Sequence, residues 1–329
     1  MSSFSNQNES AGNSNADPHK HRLDYQPVVV DECLEEATRR LIRLAIQEDL
    51  SNSLDWTTVC LIDQHQIGAC NVVAREEGVA CGMALAKWII DEMDADLTES
   101  CLLEDGARFQ SGQTLIELQG NVRDLLTAER TILNLLSRLC GIATLTARYV
   151  KAMSSQTTRL YDTRKTTPGW RLLEKYAVLC GGAHNHRTGL HDGFLIKDNH
   201  LALAGTAAKP LSVAEATARA IRWRGNPVKS MQAPSIVEVE VDNLEQLQKV
   251  LPELPNIVLL DNFSLEQLVE AVALRDQISP SVELEASGNI RIETIRGVAA
   301  TGVDRISSGA LTHQATSLDL GLDWFSNPQ

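Results

Sequence analysis

The sequence predicts an α/β protein in which a small N-terminal α+β domain precedes an incomplete α/β barrel. From residue 158 onward, short apolar segments alternate with amphipathic helical segments, an order that gives parallel strands joined by helical crossovers. Polar residues end nearly every predicted strand, and the carboxyl ends of barrel strands converge on one mouth. No predicted strand is followed by the glycine-rich turn of a nucleotide-binding open sheet. Because a complete barrel takes roughly 250 residues, this one is expected to lack one or two units.

The first 27 residues are predicted to form a disordered tail. They read MSSFSNQNESAGNSNADPHKHRLDYQP, rich in Ser and Asn and poor in side chains that could be buried. Ordering them would cost conformational entropy without hydrophobic compensation. At Asp31 the pattern changes to an amphipathic helix, DECLEEATRRLIRLAIQEDL, so folded structure is expected to start there.

The N-terminal α+β domain is predicted from three segments that follow this helix. ACNVVAREEGVACG and QTLIELQG have the residue pattern of strands, whereas MALAKWIIDEM has that of a helix. The next segment, VRDLLTAERTILNLLSRLCGIATLTARYVKAM, is strongly helical and long enough to link two domains.

The barrel is predicted to contain six strand units. They read RLYDTRK, GFLIKDNH, IVEVEVDN, NIVLLDNFS, VELEASGN and DRISSGALTH. Helices are expected between them near residues 168–180, 212–223, 244–254, 265–278 and 292–300.

Charge and cysteine content restrict the partners and the compartment. The formal net charge is -13 with a pI near 5.1, so nucleic acid and anionic membranes would be repelled at long range. The seven cysteines are scattered and include no C-x-x-C pair, which argues against a disulfide framework or a four-thiolate zinc site. No apolar run reaches the roughly 18 residues of a membrane helix, and the N-terminus lacks a signal-peptide pattern. A cytoplasmic protein is expected.

The predicted strand ends bring a cationic group of side chains to face an acidic one. The cations are Arg164, Lys165, His186, Arg187 and Lys197, and the acids are Glu240 and Asp261. Arginine and lysine suit carboxylates and phosphates, whereas a pair of carboxylates suits ribose hydroxyls and Mg²⁺. Exposed amides at Ser287-Gly288 and Ser308-Gly309 could cradle a phosphate. The mouth is therefore predicted to bind a multiply anionic ligand.

The segment HNHRTGLHDGFLIKDNH, residues 184–200, allows other interpretations. Cys180, His184 and His186 could bind zinc, but no fourth ligand follows at a recognisable spacing. Lys197 at a strand end could form a Schiff base, provided that it loses its proton. His184, His191 and His200 are expected mainly to support the structure.

Motifs along most of the chain closely resemble the quinolinate phosphoribosyltransferase family, the carboxylating nicotinate-nucleotide pyrophosphorylases. They are DTRKTTPG (162–169), GGAHNHRTGLHDGFLIKDNH (181–200), VEVEVDN (237–243), LLDN (259–262), EASGN (285–289) and SSGALTH (307–313), with AERTILNLLSRLCGIAT (128–144) resembling the linker helix. The resemblance implies an N-terminal α/β sandwich over residues 28–135, joined by the C-terminal segment 314–329, and an incomplete, seven-stranded α/β barrel over 136–313. It also implies a homodimer.

The same resemblance implies the reaction: quinolinate and phosphoribosyl pyrophosphate give nicotinate mononucleotide, pyrophosphate and CO₂, with Mg²⁺, in de novo NAD biosynthesis. Arg164, His186 and Arg187 match the residues that bind the quinolinate carboxylates, and Arg130 matches an arginine donated by the partner subunit. Lys165 and Lys197 match catalytic lysines between the substrates, and Glu240 and Asp261 match the acidic pair that binds ribose and metal. The remaining matches to substrate-binding positions are Thr163, Ser287, Gly288, Asn289, Ser308, Gly309, Ala310 and His313.

Three alternatives remain open. The acceptor could be nicotinate or another small anionic ring, although Arg164 together with Arg187 favours a dicarboxylate. The protein could instead be a Schiff-base aldolase that uses Lys197, or a non-catalytic anion-binding or assembly protein. Retention of the acidic and basic positions together argues against the last of these.

Overall fold

The computed structural model describes residues 23–205, 210–228 and 231–325. In chain order its strands are β1 (Ile67–Ala74), β2 (Gly78–Val79), β3 (Leu97–Cys101), β4 (Arg108–Phe109), β5 (Thr114–Asn121), β6 (Arg159–Tyr161), β7 (Phe194–Ile196), β8 (Pro227–Val228), β9 (Met231–Gln232), β10 (Val237–Val241), β11 (Ile257–Asp261), β12 (Glu283–Ser287), β13 (Arg305–Ser307) and β14 (Leu320–Trp324). Its helices are α1 (Glu32–Leu50), α2 (Trp56–Leu61), α3 (Leu85–Met93), α4 (Val122–Met153), α5 (Arg171–Cys180), α6 (Asp198–Ala204), α7 (Val213–Trp223), α8 (Leu244–Val250), α9 (Leu265–Ile278), α10 (Ile295–Ala299) and α11 (Ala310–His313).

The N-terminal unit is an antiparallel sheet with strand order β14-β1-β5-β3. Strands β1 and β5 and helix α3 coincide with the predicted segments, whereas β3 and β4 were not predicted; β14 lies in the C-terminal segment that was expected to join this domain. The last strand, β14, comes from the C-terminal end of the chain and pairs with β1 from Ala74↔Leu320 to Cys70↔Trp324. The sheet therefore combines three strands from residues 67–121 with one strand from residues 320–324.

Helix α4 connects this sheet to the barrel. It begins at Asn121, whose side chain accepts a hydrogen bond from the Arg123 amide, and it continues through the predicted domain boundary at residues 135/136. At Gly141 the helix lies against the C-terminal segment so closely that a Cβ would come within 2.0 Å of the Thr316 carbonyl oxygen. A side chain at residue 141 would separate the helix from that segment.

The barrel is a parallel sheet with the order β6-β13-β12-β11-β10-β7 within the described ranges. Its six strands fall in the six predicted units, and α5, α7, α8, α9 and α10 lie where helices were expected. The expected seventh strand does not form among the described residues; beyond β6 there is only a single parallel bridge between Tyr161 and His184. Because no hydrogen-bonded pairing joins this bridge to β7 among the described residues, the barrel is incomplete, as predicted.

The predicted tail is wrong for residues 23–27. Tyr25 is buried, and Asp24 accepts hydrogen bonds from Arg159 and Tyr161 of strand β6. The composition of the segment could not predict this order, because the partners belong to the barrel and lie more than a hundred residues away. Residues 1–22 of the predicted tail, and residues 326–329 of the C-terminal segment, lie outside the described residues.

Candidate active site

The mouth of the barrel forms a cavity of about 560 Å³ at the carboxyl ends of the strands. It is lined by Thr163, Arg164, Lys165, His186, Arg187, Leu195, Lys197, Glu240, Leu259, Asp261, Glu285, Ser287, Gly288, Asn289, Ile290, Ser307, Ser308, Gly309, Ala310, His313 and Gln314. Every predicted site residue except Arg130 belongs to this set. A second cavity of about 560 Å³ lies beside α4 and is lined by none of the predicted residues.

A buried ion pair fixes the loop that follows β6 and carries Arg164 and Lys165. Glu174 of α5, fully buried, accepts hydrogen bonds from Arg138 of α4 at 2.7 Å and from the Thr167 hydroxyl at 2.9 Å. The Thr312 hydroxyl also donates to the Lys165 carbonyl oxygen at 2.7 Å. The loop after β6 is thus held in place by contacts with helices α4, α5 and α11.

A second buried pair fixes the segment that contains His186 and Arg187. The fully buried Asp162 and Lys175 form a salt bridge, and Asp162 also accepts from the His186 amide and the Asn185 side chain, both at 2.8 Å. Lys175 donates in addition to the His186 carbonyl oxygen at 2.7 Å. Burial raises the pKa of Asp162 and lowers that of Lys175, although each group opposes the shift of the other.

Two arginines face the cavity with unused hydrogen-bonding capacity. The buried Nε of Arg164 has no hydrogen-bond partner within the described part of the chain. Arg187 is buried and donates from Nη1 to the Gly193 carbonyl oxygen at 3.2 Å, and burial lowers its pKa. Since a buried guanidinium is costly without an anion, this wall of the cavity is suited to carboxylates.

His186 lies beneath these arginines, inside the barrel. Its Nε2 is 3.1 Å from Glu238 Oε2 and 3.5 Å from Glu285 Oε1. Burial lowers the pKa of His186, but the two carboxylates raise it to about 10. The Arg187 amide donates to Nδ1 at 2.8 Å. This contact requires an unprotonated Nδ1, so it favours the neutral ring and opposes the effect of the carboxylates on the pKa. In either state Nε2 carries a proton directed at the glutamates.

The opposite wall is acidic. Glu240 of β10 forms a salt bridge with Lys197, which follows β7, and Asp261 at the end of β11 accepts from the Asn262 side chain at 2.8 Å. Adjacent parallel strands place both carboxylates on the inner face of the barrel, because Glu240 pairs with Leu259, two residues before Asp261. This half-buried oxygen donor set fits Mg²⁺ shared with substrate oxygens.

The two predicted phosphate turns follow β12 and β13. Gly288 has a φ of +95°, and a Cβ there would lie 2.2 Å from the Asn262 Oδ1 atom, so only glycine fits. Ser308 is buried, and its hydroxyl accepts from the Ala310 amide at 3.3 Å. A Cβ at Gly309 would lie 2.8 Å from the Lys165 side chain, which shows how closely this turn approaches the lysine.

The remaining predicted residues lie away from the cavity. Arg130 is exposed on α4. His184 packs its ring against Tyr161, with ring centroids 5.3 Å apart, and the His200 Nδ1 accepts from the Lys197 amide at 2.9 Å. His191 is exposed. None of these three histidines lines the mouth.

The zinc alternative is not supported by the arrangement of the side chains. Within the described ranges the one group of three or more suitable donors contains His186 with Glu238 and Glu285, not Cys180 or His184. All seven cysteines are free thiols.

Sequence reasoning missed several lining residues. Leu195, Leu259 and Ile290 supply apolar contacts, and Glu285 and Gln314 add polar groups. Period-two alternation from Asp261 and Ser287 could have indicated Leu259 and Glu285, since residues two apart share a strand face.

None of the described helices is long and apolar enough to cross a membrane.

A parallel barrel whose mouth combines arginines, lysines and paired carboxylates defines a class of α/β-barrel enzymes that act on anionic substrates. The family described as "Quinolinate phosphoribosyl transferase, C-terminal domain" matches residues 142–323, and the corresponding N-terminal domain matches 55–140. The chain therefore belongs to the quinolinate phosphoribosyltransferase family, the pentosyltransferases of NAD biosynthesis.

Individual relatives agree with this assignment. The chain is 44% identical to the nicotinate-nucleotide pyrophosphorylase [carboxylating] of Mycobacterium leprae over 90% of its own length and 100% of the relative's. It is 35% identical to a mitochondrial quinolinate phosphoribosyltransferase [decarboxylating] of Nicotiana tabacum, covering 86% of this chain and 81% of that one. The solved nicotinate-nucleotide pyrophosphorylase of Francisella tularensis superimposes with a TM-score of 0.81 at 38% identity, covering 92% and 100%.

Proposed function

We propose that this protein transfers the phosphoribosyl group of phosphoribosyl pyrophosphate to quinolinate and releases pyrophosphate and CO₂, leaving nicotinate mononucleotide. The observation that carries the proposal is the pair Arg164 and Arg187, whose guanidinium groups line the cavity opposite Glu240 and Asp261. Two arginines can each bind one carboxylate of a pyridine dicarboxylate, whereas nicotinate would leave one of them unpaired.

In the first step the pyridine nitrogen attacks the anomeric carbon, and the bond from that carbon to pyrophosphate breaks. Positive charge develops on the ribose ring, as in glycoside hydrolysis. Glu240 and Asp261 would stabilise that charge and hold the ribose hydroxyls. Lys165 and Lys197 would bind the leaving pyrophosphate and carry part of its charge.

In the second step the mononucleotide loses its 2-carboxylate as CO₂. The electron pair of the broken bond stays on the ring carbon beside the cationic nitrogen, and that carbon then takes a proton from solvent water. Asp162 and Lys175 hold the segment that carries His186 and Arg187. These two residues would hold the pyridine ring and its 2-carboxylate in one fixed orientation while CO₂ leaves.

Mg²⁺ is part of the proposal. Glu240 and Asp261 would hold it together with oxygens of phosphoribosyl pyrophosphate, and the bound ion would neutralise charge on the leaving pyrophosphate. Lys197 is paired with Glu240 and would therefore lie beside both the ion and the pyrophosphate.

A coupled assay of CO₂ and pyrophosphate release, with quinolinate and nicotinate in parallel, tests the reaction. We expect both products from quinolinate and neither from nicotinate. Arg187→Ala should raise the KM for quinolinate about tenfold to a hundredfold, the cost of a charge-assisted hydrogen bond, and leave the KM for phosphoribosyl pyrophosphate within threefold. Asp261→Asn should do the reverse or abolish the Mg²⁺ dependence.

Arg40→Ala, which alters an exposed arginine on α1, is the control and should leave both KM values unchanged. Turnover of nicotinate without CO₂ release would refute the dicarboxylate assignment. Equal effects of Arg187→Ala and Asp261→Asn on both substrates would refute the division of roles.

We further propose a homodimer in which Arg130 reaches the partner's cavity. The support is that Arg130 matches a site position of the family yet is exposed and lines no part of its own mouth. Mixing unfolded Arg130→Ala and Asp261→Asn chains and refolding them together should restore up to about a quarter of wild-type activity, because heterodimers contain one intact site. No recovery despite dimer formation would place Arg130 in its own subunit's site.

A cytoplasmic location is also proposed. Its support is the free state of all seven thiols, which is typical of a reducing compartment. Fractionation of the native cells with an antibody to the protein would test it.

A further inference from the structure

A buried charged cluster lies inside the barrel beneath the mouth. It contains Glu238, Glu285 and Arg305, each fully buried, and Tyr25 enters it from the N-terminal segment. We propose that Tyr25 is a positioning residue that holds His186 in place beneath the pyridine dicarboxylate, with Asp24 as its anchor. The proposal rests on the proposed function and extends it to a segment outside the barrel.

The N-terminal segment lies across the opening of the incomplete barrel. On one side of the opening, the Val28 amide donates to the Asn185 side chain at 2.8 Å. On the other side, a Cβ at Gly193 would come within 2.9 Å of the Tyr25 ring. Since residues 185 and 193 lie beside the bridge at His184 and strand β7, which no strand pairing joins among the described residues, the N-terminal segment spans the two unpaired edges.

Tyr25 contacts His186 directly and through a shared carboxylate. The two rings stack with centroids 4.7 Å apart and an interplanar angle of 30°. The Tyr25 hydroxyl donates to Glu238 Oε2 at 2.9 Å, and the same oxygen lies 3.1 Å from His186 Nε2. The imidazole is thus held on its face by the ring and at its edge by Glu238.

Asp24 fixes the backbone from which Tyr25 projects. Its carboxylate accepts from Arg159 at 2.9 Å, from Tyr161 at 2.6 Å and from Arg305 at 3.1 Å. Arg305 also pairs with Glu285 at 3.0 Å, which in turn faces His186. One network of ion pairs therefore joins the N-terminal segment to three barrel strands.

The position of His186 sets the position of the arginine that follows it. The Arg187 amide donates to His186 Nδ1 at 2.8 Å, and the Arg187 side chain faces the cavity. Loss of the Tyr25 ring would let the imidazole tilt and displace Arg187. The phosphate turns and the acidic wall belong to other strands, so binding of phosphoribosyl pyrophosphate should change little.

Two substitutions separate the ring contact from the hydroxyl contact. Tyr25→Phe keeps the stack and loses the hydrogen bond, and we expect a rise of about threefold to tenfold in the KM for quinolinate. Tyr25→Leu loses both, and we expect a rise of more than about tenfold. The KM for phosphoribosyl pyrophosphate should stay within twofold for both variants.

Tyr176→Phe is the matched control, because it removes another tyrosine–carboxylate hydrogen bond, from Tyr176 to Asp105 at 2.7 Å, outside the cluster. It should change neither KM value. Equal changes in both KM values for the Tyr25 variants, or no change in a folded Tyr25→Leu protein, would overturn the proposal. Should Tyr25→Leu fail to fold, Tyr25→Phe tests the hydroxyl contact alone, and an unchanged KM for quinolinate in that variant would overturn the proposal.

A spectroscopic test does not depend on turnover. In protein with isotope-labelled histidine, the ring signal of His186, assigned with His186→Gln, should be shifted by the stacked Tyr25 ring. Tyr25→Phe should retain that shift and Tyr25→Leu should lose it; an unchanged signal in Tyr25→Leu refutes the proposal. An inactive wild type would instead refute the proposed reaction, so the two failures are distinguishable.

Discussion

The Lys175→Met substitution should destabilise the protein strongly, because it leaves a carboxylate buried without a cation. Asp162 and Lys175 are both fully buried. After the change Asp162 would keep the His186 amide and the Asn185 side chain as donors but lose its only countercharge in this set of contacts. Breaking one partner of such a pair costs about 3–5 kcal/mol.

The second partner sharpens the test. Asp162→Asn should also destabilise, since Lys175 would then be the unpaired charge. In the double variant neither charge of the pair remains, so its loss of unfolding free energy should be smaller than the sum of the single losses by at least about 1 kcal/mol. The directions of the pKa shifts agree with this, because burial opposes the charged form of both groups.

Urea unfolding followed by circular dichroism measures these losses. Lys249→Met, which removes an exposed lysine paired with Glu245, is the control and should cost less than about 0.5 kcal/mol. A loss below about 1 kcal/mol for Lys175→Met, or strict additivity in the double variant, would refute the argument that the pair is a buried, mutually dependent unit.

Three further predictions concern the surroundings of the mouth. Arg138→Met should raise the KM for both substrates in steady-state assays, since Glu174 would lose the cation that helps it hold the loop after β6; unchanged kinetics would contradict this. The raised pKa of His186 means that the folded state holds a proton that the unfolded state releases above pH 6.5, so stability should fall between pH 6.5 and about 10. Urea unfolding of His186→Gln should show a shallower fall, and an equal slope would refute the assignment. Gly288→Ala should raise the KM for phosphoribosyl pyrophosphate more than that for quinolinate, because its Cβ would collide with Asn262; competition by inorganic pyrophosphate measures the same loss.

The mouth of the barrel could be predicted because parallel strands share a direction. Once the strand units are found, the residues at their carboxyl ends must meet, and Lys197 and Asp261 line one cavity. The choice of Glu240 over Glu238 came from the family resemblance. The sequence does not show how far below the mouth an inward-facing side chain lies. Glu238 and Glu240 share a face of β10, yet Glu240 lines the mouth and Glu238 lies below it against His186.

Contacts between distant segments were beyond sequence reasoning. Tyr25 lies in a polar stretch, and the residues around it in the sequence do not indicate that its hydroxyl donates a hydrogen bond to Glu238. Arg138 and Glu174 are 36 residues apart along the chain and lie on two different helices. Each of the two helices was predicted, but helical periodicity does not identify which charged residues on different helices will meet.

The pairing of β14 with β1 has a consequence for synthesis of the chain. The N-terminal sheet includes residues 320–324, so it stays one strand short until those residues have been synthesised, and β1 has an unpaired edge until then. Such long-range pairing slows folding and leaves an edge open to misassociation. A chain ending before residue 320 would keep every residue of the mouth and still leave that edge permanently bare.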